Sequence, residues 1–289
     1  MNKTVFRVIH LPIYGLIYLF SLVPLKILYF ISEFLYILMY YVIGYRRSIV
    51  IQNLSRAFPE RQYGEIQDLC KQFYRSFSHW LAEIVKLFSV SLPELQQQVT
   101  LINFEFVKRC LDENRNVVAG MGHFGNWEML SILPRLLDAD VVSVYKPMKN
   151  KIVDRILHKL RSRFGMRMVA SHQVVRQMLT GGRAASLYLF VADQCPPQSD
   201  SSGLIKFMHQ PTRILPGIER LSKATDSAVV YLFMRKTRKG FYTIECIPIC
   251  EYPKQAAEIS ITDSYRELLE YNVRATPDNW LWTHKRWKR

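Results

Sequence analysis

The residues best placed to do chemistry lie in the stretch VVAGMGHFGNWEML, Val117–Leu130, where His123 is followed five positions on by Glu128. An imidazole, whose ordinary pKa is about 6.5, takes and returns a proton near neutrality. A carboxylate about one helical turn away would hold its tautomer and stabilise the imidazolium. His123 and Glu128 therefore fit a general base and its orienting partner. The plainer reading is a satisfied loop histidine beside a surface glutamate, because the bare spacing is common. The surroundings favour the chemical reading. NVVAGM (116–121) reads as a buried strand, His123 lies just past its end, and ligands gather at the carboxyl ends of strands in α/β sheets. Gly120, Gly122 and Gly125 would let the backbone turn and approach a ligand. Asn126 is placed to cap a helix beginning at Trp127, whose first-turn amides would stabilise developing negative charge.

The same glycines spell a rival. GMGHFG (120–125) is a literal G-x-G-x-x-G between a strand and a helix, the setting of a dinucleotide-binding turn. That reading needs an acid ending the next strand, and Asp138 and Asp140 precede that strand instead. H-E-x-x-H, G-x-S-x-G and a P-loop are absent, and the other histidines show no ligand spacing. What remains is a base without an obvious protein nucleophile. That suits direct transfer, in which the substrate's own hydroxyl attacks.

The elements that must hold this site alternate. After Val99, strands are expected over 140–146, 184–193, 228–235 and 240–249. Helices are expected over 150–165, 217–226 and 261–277, the last capped by Thr262 or Asp263. The alternation predicts an α/β fold around a central sheet. Upstream, residues 53–91 read as two amphipathic helices broken at Phe58-Pro59, with Trp80, Leu81, Ile84, Val85 and Phe88 facing the core or a membrane.

The first 45 residues are the most apolar. Leu11–Leu25 carries no charge, and Ile27–Gly44 carries only Glu33. The second run is ~27 Å long as a helix, close to the hydrocarbon thickness of a bilayer. Tyr45, Arg46 and Arg47 then form a basic stop, with no small-residue cleavage site of a signal peptide. A membrane anchor is expected, either one span or a partly embedded hairpin, with the basic remainder on the cytoplasmic side. A hairpin buried in the domain is the alternative. The net charge of +15 points to a polyanionic partner: nucleic acid, anionic lipid or an acidic protein. The five cysteines lack a C-x-x-C pair and read as reduced and structural.

Taken together, these stretches resemble the lipid A secondary (lauroyl/myristoyl) acyltransferases, a branch of the lysophospholipid acyltransferase superfamily. GHFGNWE resembles the family's H-x-x-x-x-[DE] signature, and YRRSIVIQNLSRAFPE follows an apolar N-terminus as it does there. YKPMKNKIVDRILHKLRSRFG resembles its Y-[RK]-P-x-x-N segment with an R-x-R-x-G helix end. VADQCPPQSDSSG is similar to its Asp-Gln loop, and DNWLWTHKRWK to its Trp/His/basic C-terminus. KFMHQPTRILPG departs from the family's Phe-Gly pair at Met208 and His209, in a segment expected to line the acyl or acceptor site.

The resemblance implies a glycerolipid-acyltransferase-like α/β fold: a central mixed sheet flanked by helices, with an apolar membrane-anchoring region (1–45) before an acyltransferase domain (46–289). It implies an enzyme without a cofactor that takes an acyl chain from acyl carrier protein and places it on a hydroxyl of an anionic glycolipid at the bacterial inner membrane. His123 would be the base and Glu128 its partner. Asn126, Arg161, Arg163 and Asp193 would line the substrate site, the arginines against a phosphate or the carrier. A solvated basic helix face and a turn aspartate are the plainer readings of those residues. HKRWKR would set Trp287 among cations at the membrane surface, or form an ordinary solvated terminus. A lysophospholipid or aminolipid acceptor, and a basic membrane-tethered nucleic-acid binder, are the competing functions. For the last there is no recognisable motif.

Overall fold

The computed structural model describes residues 3–180, 184–195, 204–214, 216–256 and 260–287. The 196–203 stretch of the Asp-Gln loop lies outside them. The chain opens with α1 (Lys3–Ser21) and α2 (Leu25–Ile37), the latter running into a π-helical turn, Leu38–Val42. Next come α3 (Arg47–Ala57) and α4 (Tyr63–Lys86), broken at Phe58-Pro59 as expected. On α4 the stripe Ile66, Leu69, Cys70, Phe73, Trp80 and Leu87 faces inward. The expected stripe holds at Trp80 and Phe88, while Leu81, Ile84 and Val85 are only half-buried.

From Leu92 helices and strands alternate. The order runs α5 (Leu92–Gln98), β1 (Val99–Ile102), α6 (Glu105–Asp112), β2 (Val117–Met121), α7 (Leu133–Leu137), β3 (Asp140–Tyr145) and α8 (Lys151–Arg161). There follow β4 (Arg167–Ala170), α9 (Val174–Leu179), β5 (Ser186–Val191), β6 (Leu204–Phe207) and β7 (Gln210–Arg213). The chain closes with α10 (Gly217–Thr225), β8 (Ala228–Arg238), β9 (Phe241–Cys250) and α11 (Ile261–Ala275). The cap of α11 is Ser260, whose hydroxyl accepts from the Asp263 amide at 3.2 Å, two or three residues earlier than the expected Thr262 or Asp263.

Seven strands among the described residues form one sheet in the order β1-β9-β8-β2-β5-β3-β4. Only the β8–β9 pair is antiparallel, so the sheet is mixed, as the resemblance implied. β2 is central and buried along its length, which explains its continuous apolar run. Helices α10 and α11 cover one face of β2. A Cβ at Gly120 would meet the Ile218 and Tyr265 side chains at 2.8 and 2.9 Å.

The N-terminal hairpin packs on α4. Glu33, the one acidic residue of α2, accepts from Arg75 Nε at 3.1 Å and lies 2.9 Å from His79 Nε2, and the Tyr29 hydroxyl donates to Glu83 at 2.8 Å. The outer face stays apolar and exposed at Leu16, Leu19, Phe30 and Phe34. Among the described residues one stretch, Leu25–Val42, is long and apolar enough to cross a membrane by length and composition. The C-terminal segment up to Trp287 packs on the domain instead of forming an ordinary solvated terminus. Arg286 is buried, and the Trp287 indole donates to Thr212 Oγ1 at 2.7 Å and packs near Phe207 and Trp280.

Candidate active site

β2 and β5 are parallel neighbours with Met121 opposite Val191. His123 and Asp193 each stand two residues beyond those ends, so an equal offset on paired strands brings them together. Asp193 Oδ1 lies 2.5 Å from His123 Nδ1, and its Oδ2 accepts from the His123 amide at 2.9 Å and from the Trp280 indole at 2.7 Å. Asp193 is 3% exposed. Burial alone would raise its carboxyl, but the adjoining imidazole and these hydrogen bonds outweigh it and hold the group at about 2. An ionised carboxylate there accepts from Nδ1–H, which leaves Nε2 as the nitrogen free to receive a proton. The ring is held edge-on to Trp127, 4.8 Å between centroids, and its side chain is 17% exposed. The Gln194 amide lies 3.5 Å from Nε2.

Glu128 does not take the place expected of it. Its carboxylate is 4% exposed and forms a two-point pair with Arg161, Nε to Oε2 at 2.7 Å and Nη2 to Oε1 at 2.6 Å. The Trp127 indole donates to Oε1 at 3.0 Å, and no hydrogen bond joins Glu128 to His123. The reason is local. Trp127–Ile132 is a 3₁₀ turn and α7 begins only at Leu133, with Pro134 in its first turn, so the spacing drawn for an α-helix does not apply. For Arg161, burial alone would lower the guanidinium, and the Glu128 charge reverses that.

The other expectations divide. Asn126 makes no side-chain cap. It is fully buried, with both amide atoms lacking a partner. Arg163 lies away from His123, donating to the Leu87 carbonyl at 2.7 Å and lining a separate groove. The glycines receive protein instead of a ligand. Gly120 faces α10 and α11, and a Cβ at Gly122 would stand 2.7 Å from Leu269 and from Phe124. Gly125, at φ +51°, makes the turn. That filling leaves no cradle for a dinucleotide. Asp140, whose carboxylate pairs with Arg167, begins β3 instead of ending it.

His123, Glu128, Arg161 and Gln194 open onto a cleft of about 330 Å³. Leu130, Leu157, Met166, Met168, Leu189 and Val191 supply its apolar wall, and Ser131, Ser143, Tyr145 and His158 its polar one. The β6–β7 hairpin, expected to line the acyl or acceptor site, contributes no residue to this cleft. Met208 and His209 form its left-handed turn, at φ +49° and +62°, and Met208 is fully buried.

Sequence reasoning missed Trp280, Gln194 and Trp127 as site residues. Trp280 arrives from the C-terminal segment, which zips to the loop carrying His123. Phe124 and Trp280 form a β-bridge, the Gly125 amide donates to Asn279 O at 2.8 Å, and the Leu281 amide to His123 O at 3.1 Å. Behind the loop, Tyr242 donates to buried Glu83 at 2.6 Å, and the Asn126 backbone hydrogen-bonds the Tyr242 hydroxyl.

The family model for bacterial lipid A biosynthesis acyltransferases matches residues 4–289. The chain is 22% identical over 241 residues to the lipid A biosynthesis acyltransferase of Haemophilus influenzae, covering 82% of this chain and 74% of that protein. It is 23% identical over 243 residues to the lipid A biosynthesis myristoyltransferase of Escherichia coli, and equally to lipid A biosynthesis acyltransferase 1 of Shigella flexneri, covering 83% of this chain and 74% of each.

Proposed function

The chain belongs to the bacterial lipid A biosynthesis acyltransferase family, and from that premise we propose that it moves a fatty acyl chain from acyl carrier protein to a hydroxyl of a lipid A precursor, with His123 as general base and Asp193, in place of Glu128, as its partner. Nε2 takes the acceptor hydroxyl's proton as the oxygen attacks the thioester carbonyl. The tetrahedral intermediate collapses, the C–S bond breaks, and the imidazolium returns the proton to the departing thiolate. Asp193 stays ionised and stabilises the imidazolium. Gln194 is the side-chain donor near Nε2 for the developing oxyanion. The apolar wall suits an alkyl chain, and the Arg161–Glu128 pair, no longer free to orient the base, suits the polar end of a substrate. No cofactor enters these steps.

The observation that carries this reading is the His123–Asp193 pair opening onto a half-apolar cleft. Residues 1–45 anchor the protein at the inner membrane, with residues 46–289 as the acyltransferase domain on the cytoplasmic side. Glu33 tied to α4 beneath an apolar outer face favours a hairpin laid into one leaflet over a full crossing. Mass spectrometry of total lipids from a deletion strain tests the acceptor. Lipid A lacking one acyl chain, restored by the unaltered gene and not by His123→Ala, is expected. Unchanged lipid A with altered phospholipids would shift the acceptor to a lysophospholipid, and altered aminolipids to an aminolipid.

A further inference from the structure

Helix α8 carries Lys151, Arg155, Lys159 and, two residues past its end, Arg163, each four residues from the last. Spacing of four puts them in one row. Like charges at that spacing repel and cost helix stability, and an anion set against the row lowers that cost. The helix is also a partition. Leu157 and Arg161 face the catalytic cleft, whereas Arg155, Lys159 and Arg163 line a second groove of about 580 Å³ on the other side. The far wall of that groove is Tyr14 and Tyr18 of α1 with Phe88. The Lys159 ammonium sits 3.7 Å over the Tyr14 ring, and no carboxylate lines the groove among the described residues.

Resting on the membrane reading above, we propose that this groove binds the phosphate of an anionic bilayer phospholipid. Three cations and two phenols gather alongside α1, whose Leu11, Leu16 and Leu19 are exposed. That places a phosphate site where acyl chains would continue along α1, the two halves of a phospholipid in sequence. The acceptor's own phosphate offers the same chemistry. Its reacting hydroxyl must meet His123 on the opposite side of α8, and this favours the bilayer lipid as the source.

The test is flotation of the full-length protein with phosphatidylcholine vesicles and with vesicles also containing phosphatidylglycerol. The unaltered chain, the pair Arg155→Ala/Lys159→Ala, and a control of equal charge loss, Lys108→Ala/Lys254→Ala, are compared. The unaltered protein is expected to prefer the anionic vesicles. The groove pair should lose that preference by roughly 30-fold, while the control loses only a small fraction of it. Binding to neutral vesicles, acyl transfer in neutral detergent and the KM for the carrier-borne donor should stay unchanged. A preference kept by the groove pair, or lost equally by the control, overturns the site. A kept preference with a raised donor KM assigns the stripe to the acyl carrier instead. A loss seen only with acceptor glycolipid in the vesicles assigns it to the acceptor phosphate. Failure of the unaltered protein to bind either vesicle would instead defeat the membrane reading.

Discussion

Asp193 and His123 touch because each stands two residues past the end of its strand, and those strands run parallel with Met121 facing Val191. The carboxylate is held at about 2, so it is charged throughout any working range. Asp193→Asn keeps the shape, but an amide can present an N–H to Nδ1 and favour the wrong tautomer. A fall of about 10³–10⁴ in kcat is expected, with donor KM little changed. Steady-state kinetics decide it, and a loss under tenfold would remove Asp193 from the base's support.

Glu128 and Arg161 form a buried ion pair, so removing one partner strands the other. Glu128→Gln or Arg161→Met alone should cost about 3–5 kcal/mol of stability, less in proportion to the 22% of the Arg161 side chain left exposed. The double variant should recover part of it. A thermodynamic cycle from denaturant unfolding measures the coupling, expected at about 1–3 kcal/mol. A coupling near zero would return Glu128 to consideration as a partner of His123.

What the sequence made legible follows what is local. The buried run at 117–121, the helix over 151–161 with the 3₁₀ turn after it closed by left-handed Gly165, and the break at Phe58-Pro59 are each written within a few neighbouring residues. His123 was legible as a candidate base because a histidine at a strand end between glycines is itself a local signal. Its partner was not, because the contact depends on β5 lying beside β2, a pairing no window of residues contains. Glu128 was the nearer acid in sequence, and the 3₁₀ turn carried it elsewhere. Strands β1 and β4, four residues each, are too short for a period to emerge. The β6–β7 turn uses Met208 and His209 where Gly or Asn would have announced it.

His79 gives a pH dependence of stability. Burial pushes its imidazole down to about 4, against the pull of Glu33 and with help from Lys236 and Lys239. It is therefore neutral at working pH, and its contact with Glu33 is a hydrogen bond from a neutral ring, not an ion pair. In the unfolded chain the group titrates near about 6.5. Its contribution is thus complete above that value and is lost as pH falls toward about 4. The loss should be roughly 1–2 kcal/mol after solvent screening, read from unfolding midpoints at pH 7, 5.5 and 4. His79→Gln should flatten that segment of the profile.

Gly125 tests whether the loop's shape or only its residues matter. At φ +51° it sits where a Cβ would come 2.6 Å from the Tyr242 ring, and that ring is held through its hydroxyl by Glu83. Gly125→Ala should cost about 1–3 kcal/mol and lower kcat, because His123 is two residues away. Tyr242→Phe keeps the ring and removes the tether. It should cost about 1–3 kcal/mol with a smaller effect on kcat. Equal stability and activity in Gly125→Ala would show that the turn can be remade.

The cleft makes the last prediction. If its apolar wall receives the acyl chain, the length of the chain is measured against Leu157, Met166, Met168 and Leu189, and filling the wall should shorten the product. Leu157 suits the test because it lies on α8 and is only half-buried, so a larger ring there enters the cleft without overpacking the sheet. Each methylene excluded forfeits about 0.8 kcal/mol of burial. A preference shifted by two methylenes therefore corresponds to roughly a tenfold change in the ratio of kcat/KM values for the longer and shorter donors. Leu157→Trp, given a mixture of carrier-borne chains, should move its products toward the shorter acyl group by about that factor. Its thermal midpoint should stay within a few degrees. An unchanged length profile with a raised acceptor KM would mean that this wall holds the glycolipid and the acyl chain runs elsewhere.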